Sequence, residues 1–328
     1  MRRVVVATHG HCFDGLCSAV MFTRLMRHLY PNEELSFAYK GMGYGPGQNG
    51  VAPEVLDGDE NAILDFRFTQ SPKLTWYFDH HVSAFPTPAD RAAYDIGARE
   101  DAPGGRHMFH DGGYGSCTKL IADVGRARFG LDSATPHDSE LVRWADMIDS
   151  AAFPSAEMAV ERKDPVLHLM TVVEHHGNDA FLESMVPRLL SEDLEDVARA
   201  KDVEEAYAPL AAQHQTFVDL VKQHAEVKGH VVLVDLSSVV VDVAAKFVTY
   251  ALWPESAYSI VLSRSTSKNK ISIGYNPWAP VARKHNIAAI CERHGGGGHP
   301  VVGAISLPAG DVEKAQKLAR EIAEELAT

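Results

Sequence analysis

Asp79-His80-His81 follows the short apolar run Thr75 to Phe78, and three further acidic residues, Asp14, Asp65 and Asp149, each stand beside a hydrophobic stretch of this 328-residue chain. Carboxylate oxygens and imidazole nitrogens are the donors that divalent cations take, and an Asp-His-His run at a strand end supplies both on one rim. Alone, the tripeptide would pass for a solvated turn, and Asp65 in Ile63-Leu64-Asp65-Phe66 for a cap or turn former. Their recurrence at several strand ends points instead to a metal site.

The segment Thr8-His9-Gly10-His11-Cys12-Phe13-Asp14-Gly15 leads from the first apolar run into a helix. It has neither the Gly-Lys-Ser/Thr of a P-loop nor the glycine spacing of a dinucleotide fingerprint, so its His and Asp side chains read as metal donors. Far downstream, Arg293-His294-Gly295-Gly296-Gly297-Gly298-His299-Pro300 sets four glycines between basic and imidazole groups. Glycines let backbone N–H groups approach an anion closely, which makes Gly296, Gly297 and Gly298 with His299 a phosphate-binding candidate. Arg264, at the end of a strand-like run, is a second one, because its planar fork matches phosphate in two places. A flexible loop and a plain surface arginine are the alternatives. The glycines at 41, 43, 45 and 47 read as a loop without chemistry, and His175-His176 as a solvated helix end.

The elements that must position these groups are visible as a rhythm. Val4 to Ala7, Ser36 to Tyr39, Ala62 to Phe66 and Leu74 to Phe78 are strand-like, with a helical stretch from Cys17 to Tyr30 between the first two. Continuous apolar strands alternating with helices predict a parallel sheet buried on both faces, whose ligand crevice lies beyond the carboxyl ends of the strands. His9, Asp14, Asp65, Asp79 and His80 all fall there. Ser116 to Phe129 and Glu140 to Ser150 are helical, the latter ending in Asp146-Met147-Ile148-Asp149. The fold class is therefore α/β, with a parallel-sheet domain over 1–160, a helical connector over 161–228 and a smaller α/β domain over 229–328. The last contains strands at Val231 to Val234, Ser259 to Leu262, Lys270 to Gly274 and Val301 to Leu307, and a closing helix from Val312 to Leu326.

Composition narrows the function. With 45% hydrophobic and 23% charged residues the chain reads as an ordinary globular protein of net charge −13. From Glu226 onward 11 Lys+Arg meet 10 Asp+Glu, which leaves 20 against 34 before it. Long nucleic acid is bound chiefly through phosphate charge, so no long nucleic acid is expected as partner, whereas a short anionic substrate neutralised by metal fits. Four cysteines without a CxxC do not form a disulfide framework, and the apolar stretch after Met1-Arg2-Arg3 is too short for a signal peptide; a cytoplasmic location and no membrane partner are expected.

Taken in order, His9 with Asp14-Gly15, Leu64-Asp65, Asp79-His80-His81, Asp149 and the Gly295-to-His299 run resemble the DHH phosphoesterase superfamily, specifically members carrying the DHH-associated C-terminal domain, over nearly the whole chain. The resemblance implies a manganese-dependent centre in the N-terminal domain, substrate clamping by the C-terminal one, and an active site in the cleft between them. It implies that Asp14, Asp65, His80 and Asp149 hold one metal, with Asp65 bridging to a second held by His9. Asp79 would belong to the metal-site residues and orient its neighbours, His81 would contact the scissile phosphate or leaving group, and Arg264, Gly296, Gly297, Gly298 and His299 would hold the terminal phosphate. Asp146 competes with Asp149 for the fourth acidic position. One departure stands out: where the family has a further Asp two positions before Asp14, this chain has Cys12, with His9 one position closer to Asp14 than usual and an extra His11 between them. Either could ligate the second ion and favour zinc or iron over manganese. The activity implied is metal-dependent hydrolysis of short nucleotide phosphoesters: nano-RNA, linear or cyclic dinucleotides, or a 3',5'-bisphosphonucleotide. Pyrophosphate or polyphosphate hydrolysis and nucleotide binding with degraded catalysis are the rivals. Tyr275 and Trp278, if free to stack on a base, would favour nucleotides. A homodimer is compatible with all of these.

Overall fold

The computed structural model describes residues 1–44, 50–99, 106–240 and 246–328. In chain order its elements are β1 (Arg2–His9), α1 (Phe13–Leu29), β2 (Leu35–Met42), β3 (Glu60–Leu64), β4 (Trp76–Asp79), α2 (Pro88–Gly97), β5 (His107–His110), α3 (Cys117–Phe129) and α4 (Pro136–Asp149). There follow α5 (Ala156–Glu161), α6 (Pro165–His176), α7 (Asp179–Ser191), α8 (Leu194–Ala198), α9 (Lys201–Gln223), β6 (Ala225–Lys228) and β7 (Val231–Val240). The chain closes with α10 (Lys246–Leu252), β8 (Tyr258–Arg264), β9 (Lys268–Tyr275), α11 (Ile287–Arg293), β10 (Gly297–His299), β11 (Val302–Pro308) and α12 (Val312–Leu326). These elements form two compact units, Met1–Ala152 with Asp164–Ala208, and Phe153–Lys163 with Pro209–Thr328.

In the first unit five parallel strands run in the order β2-β1-β3-β4-β5. Strands β3 and β4 are buried along their whole length, as is β1 from Val4 to Thr8, because helices and loops cover both faces of the sheet. α1 packs against α3, α4 and α7 on one side. On the other, Ala7, Ile63, Phe66, Phe68, Tyr77, Tyr94 and Met108 make a continuous core. In this strand order the winding reverses between β1 and β3, and the crevice beyond their carboxyl ends is where sheets of this kind receive ligands.

β5 was not expected from the sequence: it is four residues long, begins and ends with histidine and sits at the sheet edge, so it leaves no apolar run. Gly41, read as loop, lies within β2, while Gly45 and Gly47 fall outside the described residues.

The helical stretch read as a connector is divided between the units. α6 buries Val166, Leu167, Leu169, Met170 and Val173, which commits it to the first unit's core, since a bridging helix would be polar all round. Val218 and Val221 of α9 instead join Val232, Val234 and Leu236 in the second. That unit has a six-stranded sheet in the order β10-β11-β9-β8-β7-β6, with β7 and β8 parallel and the other pairs antiparallel. Ile260, Leu262, Ile271, Ile273 and Ile305 pack there against Ala315, Ala319, Ile322 and Leu326 of α12. Among the described residues no helix is long and apolar enough to cross a membrane.

Candidate metal centre

Three strand ends and two helix ends converge at the switch point. His9 is the last residue of β1, Asp65 follows β3, His80 and His81 follow β4, Asp14 lies in the first turn of α1, and Asp149 ends α4. α1 can start this close to β1 because residue 15 is glycine: a Cβ there would stand 2.1 Å from the His9 carbonyl oxygen. Asp65 holds a left-handed backbone (φ 53), a conformation that Asp tolerates better than most residues, and its N–H donates to the Phe78 carbonyl across to β4.

The side chains gather into groups able to hold a metal: His9 with Cys12 and Asp65, Asp14 with His80 and Asp149, and Asp65 with His80 and His81. Asp65 joins the first of these to the last. Its carboxylate is fully buried, lies 3.4 Å from His9 Nδ1 and 3.4 Å from His80 Nε2, and neither oxygen has a hydrogen-bond partner. His9 Nδ1 and His80 Nε2 are buried without partners too. Orphaned buried polar atoms are costly, and two imidazole nitrogens facing the two oxygens of one carboxylate, all without partners, are the arrangement that a cation bound by their lone pairs resolves. The donor set therefore fits metal ions.

His80 shows how the site is poised. Its Nδ1–H donates to the Tyr114 carbonyl at 3.1 Å, which fixes the tautomer and turns the Nε2 lone pair toward Asp149 (3.1 Å), Asp65 (3.4 Å) and Asp14 (3.9 Å). Burial works against a charge on this ring, but the carboxylates of Asp149 and Asp65 and the field of Asp14 push its pKa up to about 11. Something positive, proton or metal, belongs at Nε2. Burial, then the fields of Asp65 and Asp149, push Asp14 well above the usual carboxylate range. Burial would raise Asp65 as well, but His80 and His9 hold it below that range. Cys12 is pushed up by burial and by Asp65, Asp14 and Asp149, a direction that a coordinated cation inverts.

Asp14 is held by a feature the sequence reading missed. The first N–H groups of α3, Cys117 N (2.7 Å) and Thr118 N (3.0 Å), donate to its two oxygens, and the Thr118 hydroxyl adds a third bond at 2.5 Å. These are free donors at a helix start, which favour a carboxylate; backbone groups leave no mark in sequence. Tyr44 and Arg67 were missed as well. The Tyr44 ring stands edge-on to His9 (5.1 Å) and against Phe66 (4.6 Å), with the Arg67 guanidinium over it at 4.8 Å.

Asp79 lies outside the metal groups, contrary to its inclusion among the metal-site residues. Its Oδ1 accepts from the backbone N–H of His81 (3.1 Å) and meets His81 Nδ1 at 2.8 Å, and its Oδ2 accepts from the Tyr77 hydroxyl (2.9 Å). It is therefore placed to orient His81, whose pKa the Asp79 bond raises against the effect of burial. His11 is also outside: its ring donates to the Glu174 carbonyl at 3.2 Å. Asp146 pairs with Lys119 at 3.0 Å, whereas Asp149 reaches His80.

In the second unit, Arg264 ends β8 half-buried, without a carboxylate partner among the described residues. Gly297 to His299 form an exposed edge strand on β11, not an open loop. Gly298 (φ 157) must lack a side chain there, since a Cβ would sit 2.3 Å from the Val302 carbonyl oxygen. Both aromatics considered for base stacking serve this unit's own packing. Trp278 Nε1 donates to Phe153 O (2.9 Å), and the Tyr275 hydroxyl donates to Val281 O (3.0 Å).

No protein-family model matches the sequence, and no curated protein does. Among solved structures, the chain is similar to the pGpG-specific phosphodiesterase PggH of Vibrio cholerae, at 17% identity and a TM-score of 0.66, over 99% of this chain and 100% of that one. It is similar to the DHH domain of a member of a family of ribosomal proteins (13%, 0.57, 99% and 87%). It is also similar to RecJ of Thermus thermophilus in complex with Mn2+ (12%, 0.53, 99% and 52%). At such identities the likeness is one of fold alone, and it is shared with a structure described as a DHH domain.

Proposed function

We propose that this protein is a metal-dependent phosphoesterase that hydrolyses short nucleotide phosphoesters. The observation that carries the reading is Asp65: a fully buried carboxylate with both oxygens unpartnered, shared by metal-ligating groups at the ligand end of a parallel sheet. Similarity of fold to a phosphodiesterase and to a manganese-bound RecJ supports it.

Asp14, Asp65, His80 and Asp149 would hold one ion, and His9, Cys12 and Asp65 a second. When bound, such ions supply Lewis acidity, compensating charge on phosphoryl oxygens and lowering the pKa of a water. The chain's own contribution is positional. Tyr77 and the His81 N–H fix Asp79, Asp79 fixes His81 through Nδ1, and this leaves Nε2 of His81 to give a proton to the departing oxygen. Within the second unit Arg264, Gly297, Gly298 and His299 are the anion-holding candidates, whereas the Gly296 N–H is already given to the Cys291 carbonyl at 2.9 Å.

The harder donor set, Asp14 with His80 and Asp149, suits manganese, whereas the thiol of Cys12 makes the other set suit zinc or iron. Cobalt(II) reports the difference: a sulfur-to-cobalt charge-transfer band that disappears in Cys12→Ser supports a Cys12 ligand, and its absence from the wild type with two cobalt ions bound removes Cys12 from the set.

The test of function is turnover of a panel of dinucleotides, cyclic dinucleotides, 3',5'-bisphosphonucleotide, short RNA and pyrophosphate by protein stripped of metal and reloaded with manganese, zinc or iron. Cleavage of nucleotides on metal addition is the expected result. Turnover of pyrophosphate alone would replace the nucleotide reading, and nucleotide binding without turnover under every metal would replace hydrolysis.

A further inference from the structure

Several cations of the first unit are paired with carboxylates: Lys40 with Asp179 (2.9 Å), Arg24 with Asp138 (2.7 Å), Lys119 with Asp146 (3.0 Å). Arg67 departs from this pattern. It is half-buried, two residues beyond Asp65, and among the described residues it has neither a carboxylate partner nor a hydrogen bond from its guanidinium. A partly buried guanidinium with idle donors adds little to the fold, since its desolvation is uncompensated by a bonded anion.

What holds it is aromatic. Phe66 lies against the Tyr44 ring at 4.6 Å with 31° between the planes, His9 meets that ring edge-on at 5.1 Å, and the Arg67 guanidinium sits over it at 4.8 Å. Stacking on a ring fixes the plane of a guanidinium while leaving its N–H edge free, and that edge matches two oxygens of a phosphate. Phe66 is part of the buried core, so the platform is anchored.

We propose that Arg67, set by Tyr44, is a specificity residue of this site that binds a phosphoryl group of the substrate on the His9 side of the metal centre. The ligand class is a tetrahedral oxyanion, phosphate or phosphoester. This deepens the phosphoesterase reading and rests on it only for the identity of the whole substrate. A simpler role, neutralising the carboxylates around Asp65, makes different predictions. A neutralising charge would be replaceable by lysine and would be felt chiefly in metal affinity, whereas a two-pronged clamp would not be replaceable and would be felt in phosphate affinity.

The experiment is calorimetric titration of inorganic phosphate into the manganese-loaded wild type, Arg67→Ala, Arg67→Lys and Tyr44→Ala, with manganese affinity measured on each. The expected result is a loss of phosphate affinity of about tenfold or more in both Arg67 variants, the size of one charge-assisted bond, with manganese affinity retained. Tyr44→Ala should fall in the same direction, and Tyr44→Phe, which keeps the ring, should restore binding. Unchanged phosphate affinity in Arg67→Ala, or full rescue by lysine together with weakened manganese in the alanine variant, overturns the proposal. Failure here and failure of the phosphoesterase reading are separable. A wild type that cleaves nucleotides while Arg67→Ala binds phosphate normally sinks only this inference, and Arg67-dependent phosphate binding without nucleotide cleavage sinks only the activity.

Discussion

Asp65 is the side chain through which the His9-Cys12 and His80-His81 groups are connected, and its substitution is the sharpest probe at the scale of single residues. Asp65→Asn keeps shape and removes charge. It is expected to lower metal affinity by more than the roughly 10–100-fold typical of outer-shell changes, with turnover falling in parallel, as read by calorimetry and metal analysis. His81→Ala should behave differently: His81 belongs to a metal group only by way of Asp65 and His80, and Asp79 ties its Nδ1, so it is expected to cost turnover while leaving most of the bound metal in place. At this scale the sequence was informative about acids and imidazoles, whose chemistry is written in residue type. It gave no sign of Thr118, whose hydroxyl reaches Asp14 from 104 positions away, or of Arg67 and Tyr44, which acquire meaning only by stacking beside His9.

Among the elements, α3 matters for its first turn more than for its length. Its opening N–H groups and the Thr118 hydroxyl fix Asp14, so Thr118→Val, which keeps the backbone donors and removes the hydroxyl's bonds to Asp14 and to Ser18 Oγ (3.2 Å), is predicted to weaken metal binding about tenfold with the fold unchanged by circular dichroism. Where α1 meets β1, Gly15→Ala would put a Cβ 2.1 Å from the His9 carbonyl oxygen. The predicted loss of stability exceeds the about 1–3 kcal/mol usual for overpacking, measurable by denaturant unfolding, and the movement of His9 should loosen metal as well. The strands that carry the site were legible because strands buried on both faces are written as unbroken apolar runs, such as Val4 to Ala7. β5 and β10 were not, since an edge strand of His-Met-Phe-His or of two glycines and a histidine needs no such run. The division of the helical stretch between two units followed from which faces of α6 and α9 are apolar, a matter of partners that periodicity alone does not name.

For the molecule as a whole, buried carboxylates without a cation make folding and metal binding linked. Ions that bind only the folded first unit at a hundred times their Kd contribute about 2.7 kcal/mol. Chelation should therefore lower that unit's melting temperature by about 5–10 °C in calorimetry, and the addition of manganese should restore it. The measurement that tests the central claim most directly is the turnover of a dinucleotide by metal-stripped protein, before and after manganese, in the wild type and in His80→Ala. Cleavage that appears with manganese in the wild type and stays absent in His80→Ala is the result predicted here. Equal cleavage by His80→Ala, or cleavage by the stripped wild type, would contradict a reaction run at these strand ends by metal.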